Sequence, residues 1–169
     1  MNLEKLVVDF SFIDDPRLRA IVVEYHRESL AAYESGLYAA ALFLSGSVLE
    51  GTLAWAIVKA PAGPFVSEAE GDPSTWGLAK LIDQGVKRGL IGKTAKDASW
   101  AVKDFRNFIH PGHAVDQGSS RPDAALSLGA LTAVAEIVRS LRGRILSVPH
   151  HALEQIVAAH EAGHEVEPD

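Results

Sequence analysis

Apolar residues recur along this chain at helical spacing and nowhere alternate with period two over any length, which predicts an all-α protein. A short apolar lead (Leu6, Val7, Val8, Phe10, Phe12, Ile13) runs into Asp14-Asp15-Pro16, an acidic cap with Pro in the first turn, and this predicts a helix start. From Pro16 to about Ser35, Leu18, Ile21, Val22, Tyr25, Leu30 and Tyr33 fall roughly on one helical stripe, and Gly36 breaks it. Residues 37–59 read as a second helix rich in small residues (Ala39, Ala40, Ala41, Ser45, Gly46, Ser47, Gly51), which permit close approach of its neighbours. Residues 60–73 hold three prolines and two glycines and read as a loop. Ser74 is expected to cap a short helix over residues 75–88, with Trp76, Leu78, Leu81 and Ile82 inward, before Gly89-Leu90-Ile91-Gly92 turns the chain. A fourth helix over residues 93–110 carries Ala95, Ala98, Val102, Phe105 and Ile109 along one stripe. After a polar loop, Ser120 and Pro122 are expected to open a long helix over residues 122–146 that ends near Pro149.

The expected architecture is therefore a bundle of four to five helices with a short C-terminal helix or tail. Its parts are a lead segment (residues 1–15), the bundle (16–148) and a polar end (149–169) with four histidines and five acids. With 169 residues, 47% of them apolar, the chain is long enough to bury one substantial core. It has no cysteine, which removes disulfides, thiolate zinc sites and a cysteine nucleophile, and suits a reducing cytoplasm. The first residues carry an acid and lack an apolar stretch of signal-peptide length. The long apolar run of residues 37–60 is interrupted by Ser45, Gly46, Ser47, Glu50, Gly51 and Thr52, so it reads as a buried helix of a soluble protein and no membrane partner is expected.

The formal net charge of −6 disfavours strong non-specific nucleic-acid binding, but the charge is unevenly spread. Between Lys80 and Arg106 seven basic residues face three acids, a local +4 against −10 for the remainder. This basic stretch leads into Asp104-Phe105-Arg106-Asn107-Phe108-Ile109-His110-Pro111-Gly112-His113. On a helix, Arg106 and Asn107 share a face with His110, and Pro111-Gly112 stop the helix there. A guanidinium, an amide and an imidazole at a helix C-terminus suit binding a phosphate and moving a proton near it. Lys96 and Lys103 are candidate phosphate contacts on the same segment. Glu50, set in the apolar run Val48-Leu49-Glu50-Gly51-Thr52-Leu53, needs a partner, and pairing with Arg106 would fix that guanidinium.

The segment Phe105-Arg106-Asn107-Phe108-Ile109-His110-Pro111 after its Lys/Asp-rich helix resembles the signature of the HEPN superfamily of small α-helical domains. The run Ser47–Leu53 resembles that group's second core helix with its acidic residue, and Trp76-Gly77-Leu78-Ala79-Lys80-Leu81-Ile82 and Gly89-Leu90-Ile91 also resemble bacterial members with an Arg-Asn-x-x-His-Pro ending. The similarity spans roughly residues 15–146. It implies a dimeric bundle. Many such domains are metal-independent endoribonucleases of toxin–antitoxin, phage-defence or RNA-processing systems, while others bind RNA or nucleotides or have lost activity. In active members the Arg and His of two protomers face each other. Carried over, Arg106 would stabilise charge on the phosphorane, His110 would transfer protons and Asn107 would orient the phosphate or the His. The family motif leaves four to six residues between Arg and His; His110 leaves three and His113 leaves six, so either histidine is a candidate.

The resemblance implies a homodimer, RNA or a nucleotide as ligand, a cognate antitoxin or defence partner, and no cofactor. A function of a different class stands beside it: a non-catalytic helical dimerisation or interaction module. A third pattern, His160-Glu161-Ala162-Gly163-His164, matches the His-Glu-x-x-His helix of zinc peptidases. It stands in a polar terminal stretch that supplies no dry cavity, so His160 and His164 are read as a polar helix end and no metal is expected. Ser45 and Ser47 lack the elbow of a serine hydrolase, and there is no phosphate-cradling Gly loop.

Overall fold

The computed structural model describes residues 3–59, 71–92 and 122–147. These form four α-helices, α1 (Pro16–Glu34), α2 (Tyr38–Lys59), α3 (Leu78–Lys87) and α4 (Ala124–Ser147), with 3-10 turns at Leu3–Leu6 and Pro73–Thr75. The protein is all-α, and no strand occurs among the described residues.

Local chemistry sets the ends of these helices. Asp15 caps α1: its Oδ1 accepts the amides of Arg17 (2.8 Å) and Leu18 (3.1 Å), and Pro16 fills the first position, where no amide is needed. At the other end Gly36 takes a φ of 72°, which lets its amide reach Tyr33 and that of Leu37 reach Ala32. The same two-bond closure ends α3 at Gly89 (φ 67°), whose amide bonds Val86 while that of Leu90 bonds Gly85. It turns Leu90 and Ile91 back into the core.

Two expected helix starts are corrected. Ser74 does not cap a helix over residues 75–88. Asp72 caps a separate 3-10 turn through the Ser74 amide (2.9 Å) and hydroxyl (2.7 Å), and α3 begins three residues later, after Gly77, with no side-chain cap. The long last helix is opened by Asp123 rather than Pro122: its Oδ1 accepts the Leu126 amide at 2.8 Å, and Ser120 lies outside the described residues.

α2 is the centre of the assembly: α1, α3, α4 and the turn at Pro73–Thr75 all pack against it. Leu42, Leu49, Leu53 and Ile57 of α2 are fully buried, as are Leu131, Ile137 and Leu141 of α4 and Leu81 and Ile82 of α3. Each such side chain contributes about 1.5–3 kcal/mol by leaving water. Gly51 lets α1 approach α2: a Cβ there would lie 3.1 Å from Val22 Cγ1 and 3.5 Å from Leu18 Cδ1. α2 (Tyr38–Lys59) and the stretch Ala124–Ile145 of α4 are long and apolar enough to cross a membrane, yet 61% and 50% of their most apolar windows are buried inside the protein.

On α1 the inward stripe differs from the expected one. Val22, His26, Ser29 and Ala32 are buried, whereas Ile21 and Tyr25 are exposed. The lead segment accounts for part of this. Phe10, Phe12 and Ile13 join the main core, and the Phe10 ring packs edge-on against His26 at 5.6 Å. His26 Nε2 donates to the Leu6 carbonyl at 3.0 Å, so its neutral tautomer carries the proton on Nε2. Arg139 donates to the Lys5 carbonyl, and Arg142 pairs with Asp9 at 3.1 Å, which lashes the lead to α4.

Candidate functional site

Arg106, Asn107, His110, His113, Lys96 and Lys103 lie outside the described residues, as do His160, Glu161 and His164. Glu50 is the one member of the expected constellation that the structure places. α2 turns Leu49 and Leu53 fully inward and leaves Glu50 and Ala54 half-buried along the wall of a cleft.

That cleft, about 490 Å³, opens between the start of α1, the second half of α2 and the turn at Pro73–Thr75. Its apolar lining comes from Leu18, Ala54, Trp55, Val58, Trp76 and Leu81. Four carboxylates (Asp14, Asp15, Glu50, Asp72) and one ammonium (Lys59) line it as well. Three of the carboxylates stand there because backbone capping and pairing hold them. Asp14 accepts the Trp55 indole N–H at 3.0 Å and pairs with Lys59 at 2.6 Å. Lys59 first, then the indole, hold the Asp14 carboxyl below its usual range. Asp72 is held low by the Ser74 hydroxyl and amide. Asp15 caps α1 through Oδ1 and also lines the cleft.

Trp55 is fixed from behind by Phe12, edge-on at 5.6 Å, and Trp76 carries the Lys80 ammonium 3.9 Å from its ring centroid. Among the described residues no three His, Asp or Glu side chains gather closely enough to hold a metal ion. The arrangement is an indole-lined cleft in which Asp14, Asp15 and Asp72 are exposed and Glu50 is half-buried.

Sequence reasoning missed this cleft. Asp14 and Asp15 were legible only as a helix start, and Trp76 only as a core residue. The available signal was the pair of indoles, each within five residues of a carboxylate (Trp55 with Glu50, Trp76 with Asp72).

The described residues thus define an all-α domain with an acidic, tryptophan-lined cleft on its central helix. Comparison of the chain with protein-family models, with curated proteins and with solved structures finds no match.

Proposed function

We propose that this chain is a HEPN-like bundle of four to five helices, ending in a short C-terminal helix or tail, that acts as a metal-independent endoribonuclease or an RNA- or nucleotide-binding effector of defence or toxin–antitoxin type. The reading rests on the sequence signature around Arg106. The structural observation that carries it is the position of Glu50: a carboxylate half-buried on the central helix, at the edge of the core, where a guanidinium can meet it without being buried itself. Leu90 and Ile91 support it too, because they anchor the chain to the core just before the Arg106 segment begins.

In this reading Arg106 pairs with Glu50 and neutralises the developing charge on phosphorus. His110, or His113 at the longer spacing, accepts the proton of the attacking 2′-hydroxyl as the new O–P bond forms. The P–O5′ bond breaks, the leaving oxygen takes a proton, and a 2′,3′-cyclic phosphate remains. Asn107 orients the phosphate, and Lys96 and Lys103 bind flanking phosphates. RNA cleavage in excess EDTA tests this. Arg106→Ala and one of His110→Ala or His113→Ala should each lower the rate by about 10²–10⁴-fold, and Glu50→Gln by less. Equal activity in all of these variants overturns the reading.

A second reading, a non-catalytic interaction module, draws support from the acidic cleft, which repels RNA phosphates and favours a cationic partner. The protomer pairs with a second copy through the exposed side of α1, where Ile21 and Tyr25 lie one turn apart. A cognate antitoxin or defence partner would compete for such a surface. The two long apolar helices serve as core helices of a cytoplasmic protein, since much of their apolar surface is already buried. The His160-Glu161-x-x-His164 pattern makes a zinc peptidase the remote alternative; stoichiometric zinc lost on deleting residues 160–169 would favour it.

A further inference from the structure

We propose that residues 3–9 form a strap over an apolar groove between α1 and α4, and that protonation of His26 releases this strap while the helices stay folded. This goes beyond the RNA reading and does not depend on it. The lead segment contributes to two separate apolar clusters. Phe10, Phe12 and Ile13 belong to the main core, and the chain just after them is held by Asp14 on Trp55 and Lys59. Leu3 and Leu6 instead close a small second cluster with Leu30 and Tyr33 of α1 and Leu131 and Ala135 of α4. A small cluster at the edge of a fold opens at a lower free energy than the main core does. The turn between the two, closed by the Ile13 amide on the Phe10 carbonyl at 3.0 Å, is the hinge. Release of the strap uncovers the groove.

His26 sits under this strap. Its Nε2 donates to the Leu6 carbonyl at 3.0 Å, Phe10 covers its ring edge-on, and its Nδ1 is buried with no hydrogen-bond partner. A proton added at Nδ1 creates a buried donor and a buried charge together, and water is needed to solvate both. Lifting Leu6 away admits that water. The charged groups of the elements that meet here are Glu4, Lys5 and Asp9 of the lead, Glu136, Arg139 and Arg142 of α4, and Glu24 and Arg27 of α1, which pair with each other. Arg139 donates to the Lys5 carbonyl, and its charge repels a proton on His26. Burial, the largest influence, together with Arg139 holds the His26 pKa below 6.5, against the pull of the Leu6 carbonyl. The released strap therefore binds the proton first, and acid favours release. Asp9 is not the trigger: the Ser11 amide and hydroxyl, and then Arg142, hold its carboxyl below 3.8, so it stays ionised. Among side chains, imidazole is the one that ordinarily titrates between about pH 5 and 8.

The test is amide hydrogen exchange on the full chain, expressed as protection factors so that intrinsic exchange chemistry divides out. The reporter is the Val7 amide, bonded to the Glu4 carbonyl at 3.2 Å, and the references are Leu49 and Leu53 within α2. Val7 protection should fall by up to about tenfold from about pH 7.5 to about pH 5.5, beginning near pH 6.5. At both pH values it should lie well below that of Leu49 and Leu53 and resist subdenaturing urea, because a local opening exposes little surface. His26→Gln keeps a donor for Leu6 and should cut the pH response to under about twofold. Asp9→Asn, at an exposed site, should lower Val7 protection equally at both pH values and keep the response. Four results overturn the proposal. They are a Val7 amide unprotected at about pH 7.5, Val7 exchanging only together with Leu49 and Leu53, a pH response undiminished in His26→Gln, or one abolished in Asp9→Asn. Should His26→Gln not fold, the wild-type onset decides: near pH 6.5 it supports the strap, and only below about pH 5 it overturns it.

Discussion

His26 shows at the residue scale how one buried polar group couples this fold to pH. It is only 4% exposed; Nε2 donates to Leu6, and Nδ1 has no hydrogen-bond partner. Burial first, and then the positive charge of Arg139, push its pKa below the ordinary 6.5, against the opposing pull of the Leu6 carbonyl. An unfolded chain therefore takes up a proton at His26 before the folded protein does. The associated stability is fully present above about pH 6.5 and declines as the pH falls toward the folded value. Urea denaturation from pH 7.5 to 5 (both about) checks this. The wild type should lose stability on acidification more steeply than His26→Gln, which keeps a donor for Leu6 but does not titrate. A difference between the two proteins that stays constant with pH would contradict the assignment. The sequence hid this residue. His26 falls between Tyr25 and Arg27 on a helix whose obvious apolar stripe ran through Ile21 and Tyr25, and only the docking of Phe10 and Leu6 over it makes it interior.

The helices themselves were more legible than the faces they bury. Asp14-Asp15-Pro16 and Gly36 delimit α1 as expected, because caps and positive-φ glycines are local devices that need no tertiary information. The inward face of α1 was less legible, since α2 is apolar on nearly every side and offers no pattern that would select one stripe of its partner. The start of α3 failed for a different local reason. Asp72, Ser74 and Thr75 satisfy one another in a closed 3-10 turn, so the polar cluster that resembled a cap is consumed before the helix begins. Contact between α1 and α2 depends on the missing side chain at Gly51, where a Cβ would already meet Val22 at 3.1 Å. Gly51→Leu should lower unfolding stability by about 1–3 kcal/mol, and a helical fold of unchanged stability would show that the two helices can slide apart freely. Of the expected site, Glu50 is the part placed, and its half-buried setting was masked in sequence by Leu49 and Leu53, which take the inward positions. The Arg106 and His110 cluster lies outside the described residues.

For the molecule as a whole, surface chemistry decides what it can meet. Ile21 (49% exposed) and Tyr25 (39%), one turn apart, put two large apolar side chains on one face of α1. Neighbouring apolar groups of this kind mark association surfaces when they cluster. Self-association through this side predicts a dimer in sedimentation velocity that Ile21→Asp shifts to monomer without loss of helicity. A wild-type protein that remains monomeric at high concentration would remove this face from consideration. The lead segment carries one more consequence. Lys5 and Asp9 are tied to Arg139 and Arg142, so residues near the beginning of the chain are completed by residues more than a hundred positions later. As the chain leaves the ribosome, Lys5 and Asp9 therefore stay unlatched until α4 has emerged, while Phe10 and Phe12 meet His26 of α1 and Trp55 of α2 well before it; the lead is seated from its apolar end first and locked by its polar contacts last.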